Sequence, residues 1–231
     1  MAAPPSDNLT RGGHGVPPLQ TEQPVDQFCR GQKFPEQPVD SFCRELSLVG
    51  GAAHHVESDA ELKAFIKKLL PTDGGSVALS DGQAIRQSGL REWLTNRGVE
   101  VLSTLSEDGS TKQDYVRKLL ETGIGITQAD YAIADTGTLV LVSGAEQHRL
   151  LSLVPPVHVC LLDPRRIVPT LGALLPRLLQ RFASGDTPQA VTMITGPSRT
   201  ADIEHTLTMG VHGPIAVHVL ISEHMTGLNQ R

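Results

Sequence analysis

Residues 190–204 read Ala190-Val191-Thr192-Met193-Ile194-Thr195-Gly196-Pro197-Ser198-Arg199-Thr200-Ala201-Asp202-Ile203-Glu204. The first five form an apolar run of the length of a buried strand. Gly196-Pro197 is a turn signal. Ser198, Arg199 and Thr200 ahead of Asp202 and Glu204 predict a helix start. Strand, turn and helix in that order are the repeating unit of an α/β sheet. The reading places a polar pocket at the carboxyl end of a strand, where open α/β sheets bind ligands. Backbone N–H groups and the Arg199 fork would converge there, which suits an anionic ligand or a partner's carboxylate. The same residues also fit a capped helix with a surface arginine paired to Asp202. Asp202 and Glu204 would repel a strongly charged phosphate, so a singly charged carboxylate or a partner protein suits the pocket better.

Outward from this stretch the chain alternates strands and helices. Ala53 to Glu57 predicts a short strand, and Ser58-Asp59-Ala60-Glu61 is a capping box ahead of Leu62, Phe65, Ile66, Leu69 and Leu70. Pro71 ends that helix. Strands are expected at Ser76–Ser80, Val99–Leu102, Tyr131–Ala134, Thr138–Val142, Val157–Leu162, Ala190–Ile194 and Ala216–Ile221. Helices are expected near Gly89–Arg97, Lys112–Glu121 and Pro164–Phe182. The fold class is therefore α/β, a mostly parallel open sheet with helices on both faces. The pair around Asp135-Thr136-Gly137 is an antiparallel exception, because so short a link cannot make a parallel crossover.

Residues 1–35, rich in Pro, Gly, Ser and Gln, read as a disordered tail, and residues 36–231 as one domain. The tail carries a short duplication. Glu22-Gln23-Pro24-Val25-Asp26-Gln27-Phe28-Cys29-Arg30 recurs as Glu36-Gln37-Pro38-Val39-Asp40-Ser41-Phe42-Cys43-Arg44. The second copy runs into a helix over Val39–Val49, with Phe42, Leu46 and Val49 on one face. Gly31 and Pro35 cut the first copy short.

The net charge of −5 and the 3% aromatic content argue against a nucleic-acid partner. Cys29, Cys43 and Cys160 are widely spaced, which fits neither a disulfide framework nor an iron–sulfur or zinc site built by this chain. No apolar run reaches the length of a signal peptide or a membrane span. A reducing cytoplasm is the expected location.

Three groups could carry chemistry. Gly196, Pro197, Ser198, Arg199 and Thr200 form the first, with Arg199 foremost as a two-point clamp for a carboxylate or phosphate. Asp135, Thr136, Gly137 and Thr138 form the second. Two hydroxyls and a carboxylate flank a glycine that permits close backbone approach by a ligand, although Asp and Gly also make an ordinary tight turn. His212 and Gly213, in Gly210-Val211-His212-Gly213-Pro214, form the third, with an imidazole suited to proton transfer near neutrality. Asp130 and Asp135 are five residues apart and face opposite sides of an extended strand, so a bend would be needed to pair them.

Gly196 to Glu204, followed by Gly210 to Pro214 and preceded by Gly125-Ile126-Thr127-Gln128-Ala129-Asp130-Tyr131-Ala132-Ile133-Ala134-Asp135-Thr136-Gly137-Thr138-Leu139-Val140, resembles the LUD-domain family. The likeness is to its small single-domain members and covers roughly residues 36–231. The resemblance implies the fold of ribose-5-phosphate isomerases, glucosamine-phosphate deaminases and CoA transferases. It implies an accessory role in oxidising L-lactate to pyruvate, beside two partner proteins that carry iron–sulfur clusters. No cofactor is expected on this chain by itself. A rival expectation is an enzyme on an anionic small molecule, of isomerase, CoA transferase or cyclo-ligase type, which rests on kinship of fold.

Overall fold

The computed structural model describes residues 37–71, 75–103, 111–144, 149–185, 188–201, 207–209 and 213–223. The tail reading and His212 lie outside the described residues.

The elements in chain order are α1 (Pro38–Leu48), β1 (Ala52–His55), α2 (Asp59–Leu69), β2 (Ser76–Leu79), α3 (Gln83–Gln87), α4 (Leu90–Thr95), β3 (Glu100–Leu102), α5 (Lys112–Leu120), β4 (Ile124–Gln128), β5 (Tyr131–Ile133) and β6 (Thr138–Ser143). They continue with β7 (Val157–Leu162), β8 (Ile167–Val168), α6 (Leu171–Ala183), β9 (Ala190–Ile194), β10 (Arg199–Ala201), β11 (Leu207–Met209) and β12 (Ala216–Ile221). Short 3-10 turns span Arg149–Ser152 and Pro164–Arg166.

Six strands form an all-parallel sheet in the order β1-β12-β7-β4-β2-β3. Strands buried on both faces need no polar alternation, and Val157–Leu162 is apolar but for the buried His158. On one face, α2, α3 and α4 pack Leu62, Ile66, Ile85, Leu90 and Leu94 against Val77, Leu79, Ile126, Val159, Leu161 and Leu220. On the other face, α1 inserts Phe42 and Leu46 among Cys160, Leu162, Val217, Val219 and Ile221. Each of those two fully buried side chains contributes about 2 kcal/mol by leaving water.

That second face also meets a smaller sheet, β8-β5-β6-β9, in which β5–β6 and β6–β9 pair antiparallel. α6 covers its far side through Leu174 and Leu178. The α/β class and the antiparallel β5–β6 pair thus stand, and the second sheet is an addition to the expected architecture.

Local chemistry explains the helix limits. The Ser58 hydroxyl accepts from the Glu61 amide at 3.3 Å, the expected cap, while the Glu61 carboxylate reaches one residue further back and accepts from the Glu57 amide at 2.8 Å. Thr111 and Thr170 cap α5 and α6 through the amides of Asp114 and Ala173.

Four expectations need correction. Arg199–Ala201 is a strand paired with Leu207–Met209, not a helix start, because main-chain pairing of the two segments satisfies the backbone that a helix would have satisfied internally. The expected helix over Pro164–Phe182 begins only at Leu171, since Ile167–Val168 pairs with β5. The helix expected near Gly89–Arg97 is α4, but the short helix α3 ahead of it, separated by Gly89 with φ +59°, was not expected. β4 was not expected, for Gly125, Thr127 and Gln128 interrupt its apolar pattern although all five residues are buried.

Candidate functional site at the end of α1

The antiparallel register of β6 and β9 puts Leu139 opposite Ile194, so Thr138 and Thr195 meet at the end of the ladder. Their hydroxyls are 2.8 Å apart, and Thr136 Oγ1 lies 2.8 Å from Thr138 Oγ1. A chain of three hydroxyls therefore links the Asp135–Thr138 turn to the strand end before Gly196. Two motif groups that are far apart in sequence become one surface.

Helix α1 completes that surface with main-chain atoms. Gly137 has φ +60°, and a Cβ there would lie 2.6 Å from both Glu45 C and Leu46 Cα. Gly196 has φ +78°, and a Cβ there would lie 2.6 Å from Val49 O. Both positions need glycine twice over, for the left-handed backbone and for the approach of the helix. The space reserved for a ligand beside Gly137 is thus filled by α1, which corrects the reading of that glycine.

Arg199 is exposed and donates from Nη2 to the Val49 carbonyl at 2.6 Å. Val49 is the C-cap of α1. The guanidinium therefore binds a carbonyl at the negative end of the helix dipole, where a cation is favoured. Ser198 donates its amide to the Pro214 carbonyl at 2.8 Å, and Gly213 packs against the Ser198 side chain. Pro197 is buried, and Thr200 lies in β10 with its main chain opposite Thr208.

Asp135 anchors its amide on the Pro169 carbonyl at 3.2 Å. Burial pushes its carboxyl above the usual carboxylate range and the nearby charge of Glu45 adds to this, against hydrogen bonds from its own amide and from Thr136. Asp130 is not its partner. It accepts from Arg181 of α6 at 2.6 Å and from the Val142 amide at 2.7 Å, tying α6 to the smaller sheet.

The location differs from the expected one. Gly50 and Gly51 lead into β1, Pro214 and Ile215 lead into β12, and the Ile215 amide bonds to the carbonyl of Pro156, next to β7. The motif surface therefore sits at the amino ends of β1, β12 and β7, not at the carboxyl edge of the parallel sheet. Large apolar side chains on the neighbouring segments are exposed. Leu48 is 70% exposed, Ile215 52% and Leu153 38%.

Sequence reasoning missed Glu45, Val49 and Gly50, because they contribute through main chain or through proximity. The repeated segment that becomes α1 was the available signal. Among the described residues no group of three or more His, Cys, Asp or Glu side chains could hold a metal ion. No helix among them is long and apolar enough to cross a membrane.

The fold and this surface define an α/β protein whose motif residues gather around a docked helix. Residues 39–222 match the LUD domain model, and the chain belongs to that family. It is 37% identical over 138 residues to lactate utilization protein C of Halalkalibacterium halodurans, covering 59% of this chain and 58% of that protein. It is 32% identical over 153 residues to lactate utilization protein C of Bacillus subtilis, covering 65% of this chain and 64% of that one. The aligned segment thus spans about three-fifths of the length of these relatives. A crystal structure of a DUF162 family protein from Deinococcus radiodurans at 1.70 Å resolution is similar with a TM-score of 0.57 and 25% identity, covering 80% of this chain and 96% of that one.

Proposed function

We propose that this chain is an accessory component of L-lactate utilization, the oxidation of L-lactate to pyruvate, and that it works by docking partner proteins that carry iron–sulfur clusters. The names of its relatives supply the process. One structural observation supports the mode of action: an exposed arginine bonds Val49, and Leu48 and Ile215, exposed apolar residues, adjoin in sequence the residues that Arg199 and Ser198 bond. Arginine set in apolar surface is the composition of protein–protein hot spots.

The mechanism follows from the parts. α1, the hydroxyl chain and Gly196 hold Arg199 at a fixed place, so little side-chain freedom is lost when a partner carboxylate approaches it. The redox centres belong to the partners, and this chain positions them. The domain of residues 36–231 carries this role.

The test is growth on L-lactate of a strain that lacks the gene, complemented with the chain or with Arg199→Ala. Growth is expected only with the unaltered chain, while the variant stays folded. Normal growth of the strain without any complementing gene would end the lactate reading. Normal growth with Arg199→Ala would remove this arginine from it.

A further inference from the structure

A pair of imidazoles lies away from the motif residues, on the outer strands of the parallel sheet. β1 pairs with β12 in parallel, with Ala52 opposite His218 and His54 opposite Leu220. Ala52 and His54 are two positions apart and share one face of the strand, so His54 and His218 are diagonal neighbours on that face. It is the face that α2 covers. The Phe65 ring of α2 packs against both imidazoles, with its centroid 4.4 Å from that of His54 and 5.5 Å from that of His218. Lys68, one turn further along α2, brings its charge near His54. Both histidines are half-buried, so solvent reaches them.

The spacing of the rings has a chemical meaning. His54 Nε2 and His218 Nδ1 are 3.3 Å apart, and the ring centroids are 5.5 Å apart, so these two nitrogens are the atoms turned toward each other. The separation is long for a hydrogen bond from a ring N–H. It is the separation of two imidazole nitrogens on one tetrahedral zinc ion, where bonds of about 2.0–2.1 Å place them about 3.3 Å apart. A modest turn of each ring aims both lone pairs at a common point.

The protonation states suit a metal. Burial lowers the pKa of both rings from 6.5, with the charge of Lys68 adding to this at His54 and that of His54 adding to it at His218. Both are neutral at pH 7, the form that ligates metal. When a metal enters, the one N–H that fills the gap moves through solvent to the far nitrogen of its own ring, with no net loss of a proton. Two imidazoles with no carboxylate favour a borderline transition ion over magnesium or calcium. Lys68 weighs against the bare divalent charge, but its ammonium stands on a flexible, exposed stem that can turn away.

We propose that His54 and His218 form a two-histidine site for a borderline divalent transition metal, zinc being the type, with water in the two remaining positions. This goes beyond the partner-docking reading and does not depend on it.

The test is calorimetric titration of the full, reduced chain with Zn2+. A saturable step tighter than about 0.1 mM is expected. His54→Gln and His218→Gln should each weaken that step at least about tenfold, since losing a ligand costs no less than losing a group that only orients one. His55→Gln, at the exposed end of β1 and on its opposite face, should leave the step unchanged. A second measurement needs no substitution and stands even if a variant fails to fold. In nuclear magnetic resonance spectra of the unaltered chain, Cu2+ well below one equivalent should broaden the signals of His54, His218 and Phe65 ahead of those of His55. The proposal is overturned if the unaltered chain shows no zinc step tighter than about 0.1 mM. Full affinity in either glutamine variant, loss of the step in His55→Gln, or copper broadening that begins at other histidines would each overturn it as well.

Discussion

The two edges of the parallel sheet are built on opposite principles. At the amino edge the family's motif residues are spent on one another. Glycines admit α1, three hydroxyls form a chain through Thr138, and Arg199 bonds the C-cap carbonyl of the helix. At the carboxyl edge the groups, Ser80, Asp81, Arg91 and Gln128, come from scattered positions, of which only Gln128 lies in a motif, and the buried Ser80 hydroxyl has no hydrogen-bond partner among the described residues. A run of chemistry-bearing residues therefore does not by itself mark where a small molecule sits. The motif residues here shape a seat for α1.

The strongest way to break this comparison is Gly137→Ala. If the motif surface is a seat for α1, a Cβ at φ +60° against the Glu45–Leu46 backbone must push the helix away. A loss of about 4 kcal/mol is expected, from left-handed strain and overpacking together. Thermal unfolding followed by circular dichroism reads it. A melting point within a degree or two of the parent would show that the helix does not need the glycine.

His158, in β7 beneath the face shared by both edges, gives the next largest effect. It is fully buried, with Thr127 Oγ1 at 2.8 Å from Nε2, and burial lowers its pKa from 6.5 to about 4. The unfolded chain then binds the proton that the folded chain refuses. Stability is complete above about pH 6.5 and falls by about 3 kcal/mol as the pH drops toward 4. Denaturant unfolding at a series of pH values measures this slope, and His158→Leu should flatten it. An unchanged slope in the variant would assign the acid sensitivity to other groups.

How much of this could be read from the chain follows from the kind of signal each part leaves. β7, β9 and β12 are apolar runs, and α2 announces itself by Ser58 and Glu61, so these elements were legible. β4 was not, since Gly125 and Thr127 face a buried environment that tolerates them. Ser198-Arg199-Thr200 imitates a helix start, and only the long-range partner Leu207–Met209 shows that it is a strand. The 135–138 turn and the stretch after β9 were legible as motifs, and the structure brings them together, but at another edge than the one expected. Which edge they occupy depends on β9 belonging to the smaller sheet, and main-chain contributions from Glu45 and Val49 leave no mark on side-chain identity. The carboxyl-edge groups were visible only as the turn Asp81-Gly82 and the motif residue Gln128, because Arg91 looks like any surface arginine on a helix.

Two smaller effects sharpen the contrast between the edges. Arg199→Ala should cost about 1 kcal/mol, the worth of one exposed capping bond to Val49. A loss of several kcal/mol on chemical denaturation would make Arg199 a structural pin rather than a docking group. Ser80→Ala should change stability by less than about 0.5 kcal/mol or raise it, since the hydroxyl it removes has no partner among the described residues. A clear loss of stability would mean that the hydroxyl is satisfied within the fold.

The most direct measurement is affinity capture from lactate-grown cells of the organism that encodes this chain, using the full chain and its Arg199→Ala and Ile215→Asp variants as bait, with iron and acid-labile sulfide assayed in what is retained. The unaltered chain should retain partner proteins carrying both iron and sulfide. The two variants, still folded by circular dichroism, should retain less than about a tenth as much, as expected when a desolvated charged contact or an apolar anchor is lost. Equal retention by all three baits, or captured partners free of iron, would contradict the account.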